Sequence, residues 1–156
     1  MNNFQRVNSI SNAHVGRDFE EAARVYFQQQ GIMLSERVCL PVGINNFKKD
    51  HAFDLGNTSN EAEKIIVECK SHRWTSGDNV PSAKLTVWNE AMYYFLLAPA
   101  EYRKVFFILR DYSVKRKETL GEYYLRTYKH LIPEDVEIVE YDEIELTVRI
   151  IIGPNH

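Results

Sequence analysis

The run "KVFFILRD" at 104–111 constrains the fold more than any other stretch of this chain. Its apolar residues follow one another without alternation, and it is so short and so continuously apolar that only a buried strand or a helix fragment fits it. It therefore reads as a central strand covered on both faces. Such a strand needs packed layers above and below it. Helical periodicity upstream can supply them. Phe19, Ala22, Ala23, Tyr26 and Phe27 fall at i, i+3, i+4, i+7 and i+8, and Gly31 is placed to close that helix. Leu85, Trp88, Met92, Phe95 and Leu96 repeat the period until Pro99.

Between these helices lie "ERVCLPVGI" (36–44), "HAFDLG" (51–56) and "KIIVECK" (64–70), rich in β-formers and separated by polar residues and Gly. They predict three strands in an antiparallel meander. Beyond the central strand, Glu118 to Leu131 is predicted as a helix stopped by Pro133, and "VEIVEY" and "IELTVRIII" as late strands around Asp142. No repeat, low-complexity tract or linker interrupts the chain. The order implies an α/β (α+β) fold, a mixed central β-sheet flanked by helices. With 156 residues, 44% of them hydrophobic, residues 1–156 fit a single domain.

Composition narrows the function. Nineteen Lys and Arg against 22 Asp and Glu leave a net charge of −3, so any polyanion must be met by a local basic patch. No stretch approaches the ~18 apolar residues of a membrane span. The polar start "MNNFQRVNSISN" lacks the apolar core of a signal peptide. A cytoplasmic protein with no membrane partner is expected. Cys39 and Cys69 lie in apolar runs without a CxxC spacing, as buried free thiols in a reducing compartment would. Neither the histidines nor the cysteines have zinc-site spacing, and no organic cofactor is expected.

Alternation along the third strand sends Glu68 and Lys70 to one face with Ile66 and His72, and Ile65, Val67 and Cys69 to the other. Asp54 interrupts the preceding strand between Phe53 and Leu55. Burying an unpaired carboxylate costs several kcal/mol. If the two strands form a hairpin, Asp54 and Glu68 can converge on a hard divalent cation such as Mg²⁺, which prefers oxygen ligands, with Lys70 within reach of a phosphate. A lone ExK on a solvated strand edge would more simply be an ion pair.

The stretch "HAFDLGN" and the later "VECK", with 13 residues between Asp54 and Glu68, resemble the D…(D/E)xK signature of the PD-(D/E)XK nuclease superfamily. The proline that often precedes the aspartate in that signature is absent, Phe53 standing in its place. Upstream, "GRDFEEAARVYFQQQG" resembles the first helix of Holliday-junction resolvases and many restriction endonucleases, where a glutamate lies four residues beyond a glycine. By that spacing Gly16 points to Glu20. The resemblance spans roughly residues 16–110 in the order α-β-β-β-α-β. It implies a restriction-endonuclease-like core, with the C-terminal helix and strands as additions.

The resemblance further implies a metal-dependent endonuclease that hydrolyses DNA phosphodiester bonds, of restriction, repair or junction-processing type. In such a site Asp54, Glu68 and the backbone carbonyl of Cys69 bind Mg²⁺, for which Mn²⁺ can substitute. Glu20 helps to hold an ion, and Lys70 positions or activates the attacking water. A homodimer is compatible with this family. The alternative is a catalytically inactive nuclease-fold protein that binds nucleic acid or another partner, against which the intact Asp54, Glu68 and Lys70 set counts.

Helical geometry separates Glu20 from its neighbour. At ~100° per residue, Glu20 lies about a quarter-turn from the apolar face and Glu21 nearly opposite it. Glu20 can lean toward the sheet, while Glu21 is expected in solvent. His72, Arg73 and Lys84 are candidate phosphate contacts near the third strand and second helix, as are Lys115, Arg116 and Lys117 in the loop "VKRKE". His14 is a weaker one before the first helix. Trp88, Met92, Tyr93 and Phe95, at helical spacing, are assigned to the core rather than to base stacking.

Overall fold

The computed structural model describes residue 16, residues 18–57 and residues 63–156; the candidate His14 lies outside them. Helix α1 (18–29) is followed by β1 (Ser35–Val42), β2 (Lys49–Gly56) and β3 (Ile65–Lys70). Helix α2 (Ser82–Leu97) leads into β4 (Arg103–Leu109), then the short β5 (Tyr112–Ser113) and β6 (Glu118–Thr119), α3 (Leu120–Tyr128), β7 (Val136–Asp142) and β8 (Thr147–Ile152).

Six strands form one sheet in the order β1-β2-β3-β4-β7-β8. The meander β1-β2-β3 is antiparallel, β3, β4 and β7 run parallel, and β8 returns antiparallel. Strand β4 is central, as its unbroken apolar run requires, and every residue from Lys104 to Leu109 is buried. The one charge in that buried run, Lys104, reaches out to Asp135 Oδ2 at 2.6 Å, so the ammonium is neutralised at the sheet's end.

The two faces carry separate cores. Phe19, Ala23 and Phe27 of α1 pack on Leu55, Val67 and Phe107. Leu85, Trp88 and Phe95 of α2, with Tyr124 of α3, cover Phe53, Ile66 and Phe106 on the opposite face. Each large apolar side chain so enclosed contributes on the order of 2 kcal/mol. Helix α1 ends where Gly31 takes φ +80, and the Ile32 and Gly31 amides close on Phe27 and Gln28 carbonyls, the Schellman arrangement that favours glycine. The result is a mixed sheet flanked by helices, with the α1-β1-β2-β3-α2-β4 order expected from the sequence. Among the described residues no helix is long and apolar enough to cross a membrane.

Two expectations need correction. The helix predicted from Glu118 begins only at Leu120, and residues Lys129–Leu131 tighten into a 3₁₀ turn. Thr119 is extended and caps the helix, accepting from the Glu122 amide while the Glu122 carboxylate accepts from its own. That capping box fixes the start, and Glu118–Thr119 instead pairs with Tyr112–Ser113. Cys39, expected to be buried, is exposed on β1, the edge strand of the sheet. A run that looks apolar on both faces is covered on only one at an edge.

Candidate active site

Strands β2 and β3 pair only at Leu55–Val67 and Gly56–Ile66. The same register carried one step further would set Asp54 opposite Glu68, but the ladder stops there and the strands part. Asp54 fills the opening: its Oδ2 accepts the Cys69 backbone N–H at 2.8 Å. Phe53 and Leu55, which flank Asp54, pack into opposite core layers, so the strand's alternation slips at Asp54. Across β1 the register places Arg37 beside it, and Arg37 has φ 51. A left-handed non-glycine residue costs on the order of 1 kcal/mol. The backbone is thus strained and unzipped where the carboxylate enters.

Glu68 sits within the fork on the α2 face and is only 5% exposed. Its Oε1 is buried without a hydrogen-bond partner. His51 Nε2 stands 3.6 Å from that oxygen, and Lys70 Nζ stands 3.8 Å from Oε2. Burial, reinforced by the Asp54 carboxylate, pushes the Glu68 pKa up to about 8 against the opposing pull of Lys70. Neither nitrogen is within hydrogen-bond distance of the carboxylate.

Glu20 is half-buried, and burial and then the Asp54 and Glu36 carboxylates raise its pKa, while Lys70 lowers it. The same helix turns Glu21 outward to pair with Arg24 at 3.1 Å. Three carboxylates and one lysine therefore share a single electrostatic neighbourhood at the forked end of β2 and β3.

Glu140 offers an internal comparison, since it also interrupts an apolar strand and is 1% exposed. Arg149, across the β7–β8 ladder, binds its Oε1, although its Oε2, like Glu68 Oε1, is buried without a hydrogen-bond partner. That pair reads as structural. Glu68 has no such guanidinium.

Sequence reasoning passed over His51, which stacks on Tyr94 of α2 with centroids 3.6 Å apart and planes 11° apart. Burial lowers its pKa. It also lines a cleft of about 570 Å³ between the β1–β2 turn and α2, with Phe47, Tyr93 and Tyr94 on its walls. A histidine three residues before an aspartate carries no pattern that marks it. Only the pairing of β2 with β3 brings it to Glu68.

The basic candidates divide. His72 continues the face of Glu68 and Lys70, and its Nδ1 accepts the Trp88 indole N–H at 2.8 Å. Burial, then Lys84 and Lys70, push its pKa down to about 4, so it is neutral at pH 7, and Lys84 belongs to the same cluster. Arg73 pairs with Glu143. Arg116 lies 4.8 Å over the Trp74 ring and donates to the Asp78 carbonyl. Lys115 and Lys117 are exposed in the β5–β6 turn. Trp88 and Phe95 are fully buried and Met92 nearly so, as expected of core, whereas Tyr93 is 49% exposed.

Among the described residues no group of three or more His, Cys, Asp or Glu side chains is arranged to hold a metal ion. Asp54 and Glu68 are two, so a backbone carbonyl and water would have to complete a shell, which suits Mg²⁺. The buried, partnerless Glu68 oxygen fits such an ion, because a cation there would remove the cost that burial imposes.

No protein-family model matches the chain, and no curated protein sequence matches it. Among solved structures it is similar to an XisH family protein from Nostoc punctiforme, at 16% identity and a TM-score of 0.49, with 86% of this chain and 98% of that one covered. What the site can do rests on its own side chains.

Proposed function

We propose that this chain is a metal-dependent endonuclease of the PD-(D/E)XK type that hydrolyses DNA phosphodiester bonds. One observation carries the reading: a carboxylate with a buried, unpartnered oxygen, Glu68, faces Asp54 at a fork between strands, with Lys70 beside it. A fold does not retain such a group for stability, since burial, together with the Asp54 carboxylate, has pushed its proton affinity up. A ligand that supplies positive charge makes sense of it.

Asp54, Glu68 and the Cys69 carbonyl would hold Mg²⁺ or Mn²⁺, with Glu20 assisting. A divalent ion supplies Lewis acidity and neutralises charge on the phosphate. The chain's own residues do the rest. The Cys69 N–H fixes the Asp54 carboxylate at 2.8 Å, so it needs no reorganisation. Lys70 donates through its ammonium, orienting the attacking water and offsetting charge that develops on the phosphate oxygens. The water oxygen forms the new bond to phosphorus as the bond to the leaving sugar oxygen breaks.

The test is a nicking assay on supercoiled, branched and single-stranded DNA with Mg²⁺ or Mn²⁺. Cleavage that needs the ion is the expected result. A protein that binds both metal and DNA but cuts none of these substrates would be an inactive nuclease-fold binder instead.

A further inference from the structure

We propose that His72, held by Trp88 in its Nε2–H tautomer, is a neutral hydrogen-bond donor to a phosphate oxygen of the bound nucleic-acid strand, distinct in kind from the cationic contacts of Lys70 and Lys84. It rests on the nuclease reading and specifies how that site grips its substrate.

The inference starts from hydrogen-bond inventory. An indole nitrogen only donates. Trp88 is fully buried in α2, and its Nε1 lies 2.8 Å from His72 Nδ1. Nδ1 must therefore accept, which puts the single proton of the neutral ring on Nε2. That tautomer is set by the core rather than by solvent. The rings lie 30° apart with centroids at 6.2 Å, so Trp88 fixes the plane of the imidazole as well as its proton.

Nε2–H has no hydrogen-bond partner among the described residues, and His72 is half-buried rather than enclosed. This fixed donor therefore faces solvent and can serve an acceptor from outside. Position identifies it: His72 follows Glu68 and Lys70 on the α2 face, and the charges of Lys84 and Lys70 both reach it. The field of two ammonium groups favours an anionic acceptor, and on the nuclease reading that anion is a phosphate. Burial and then the same two charges oppose protonation of the ring, so it contributes direction where the lysines contribute charge.

This distinction is measurable. A cation that neutralises a phosphate releases counterions, and a neutral donor does not. Binding of the full chain to a fluorescent DNA duplex is measured by anisotropy with Ca²⁺ in place of Mg²⁺, across ~50 to 200 mM salt. His72→Ala is expected to weaken binding about tenfold at every salt concentration, leaving the slope of log K against log[salt] unchanged. Lys84→Ala is expected to reduce that slope by ~0.9. His72→Gln, whose amide both accepts and donates, should recover most of the affinity, guarding against a variant that merely folds poorly. Independently, ¹⁵N-histidine spectra of the wild-type protein should show the Nε2–H tautomer at pH 7, with that proton's resonance shifting when DNA is added.

An Nδ1–H tautomer, an unchanged affinity in His72→Ala, or a slope reduced as in Lys84→Ala would each overturn the inference while leaving the nuclease reading intact. Wild-type protein that binds no DNA at ~50 mM salt would overturn both.

Discussion

Replacing Glu68 by Gln should stabilise the metal-free protein while destroying the proposed ion site. The folded chain holds the Glu68 proton up to about pH 8, against an ordinary value of 4.5, chiefly through burial. The unfolded chain gives that proton up above pH 4.5. Between these values the folded state binds more protons than the unfolded one, so stability falls as pH rises, and it levels off above pH 8. At ~1.36 kcal/mol for each tenfold change in proton affinity, the full penalty is on the order of 5 kcal/mol. Glutamine is nearly isosteric with the protonated acid and does not titrate, so its variant escapes this slope. Urea unfolding in EDTA at pH 5, 6.5 and 8 reads the difference directly. The variant and parent should be close at pH 5, and the variant should lead by several kcal/mol at pH 8. Adding Mg²⁺ at pH 8 should raise the parent and leave the variant where it was. Parallel profiles for the two proteins would refute the claim that Glu68 is a buried, strained carboxylate.

Metal binding at pH 7 should release close to one proton, because an ion displaces the one Glu68 retains; calorimetry in buffers of different ionisation enthalpy should show this release vanish by pH 9.5. Lys70→Ala should keep metal binding and lose at least ~100-fold in cleavage, the scale of one positioned electrostatic group, checked by titration calorimetry beside nicking kinetics. Glu20→Ala should lower cleavage while Glu21→Ala leaves it unchanged, since Glu20 shares the field of Asp54 and Lys70 and Glu21 pairs outward with Arg24; a silent Glu20→Ala would remove Glu20 from the site.

The sheet was legible because its signals are local and repeated. An unbroken apolar run names a central strand, and periodicity in α1 and α2 names the faces that cover it. The late helix starts two residues later than its expected start at Glu118, although Thr119 and Glu122 carry the T-x-x-E spacing of the capping box that begins it, a signal that a reading from Glu118 to Leu131 does not use. Cys39 was misjudged because an edge strand and an inner strand read alike before the sheet order is known. At the site, alternation was enough to align Glu68, Lys70 and His72. It could not show that β2 slips at Asp54, that His51 comes to Glu68, or that Trp88 sets the tautomer of His72. Each of those depends on pairing between strands or on packing across layers. Arg73 and Arg116 illustrate the converse: a basic residue in a loop looks available until the fold supplies Glu143 or the Trp74 ring.

If Asp54 and Glu68 are the ligands of a divalent metal, as proposed, a crystal soaked in Mn²⁺ will take up the ion between them. Anomalous difference density at the fork between β2 and β3, within ~2.0 to 2.3 Å of carboxylate oxygens of both residues and absent from Asp54→Ala crystals, is the expected result. Crystals that take up no manganese at that fork at ~10 mM, with Glu68 still unpartnered, would contradict it.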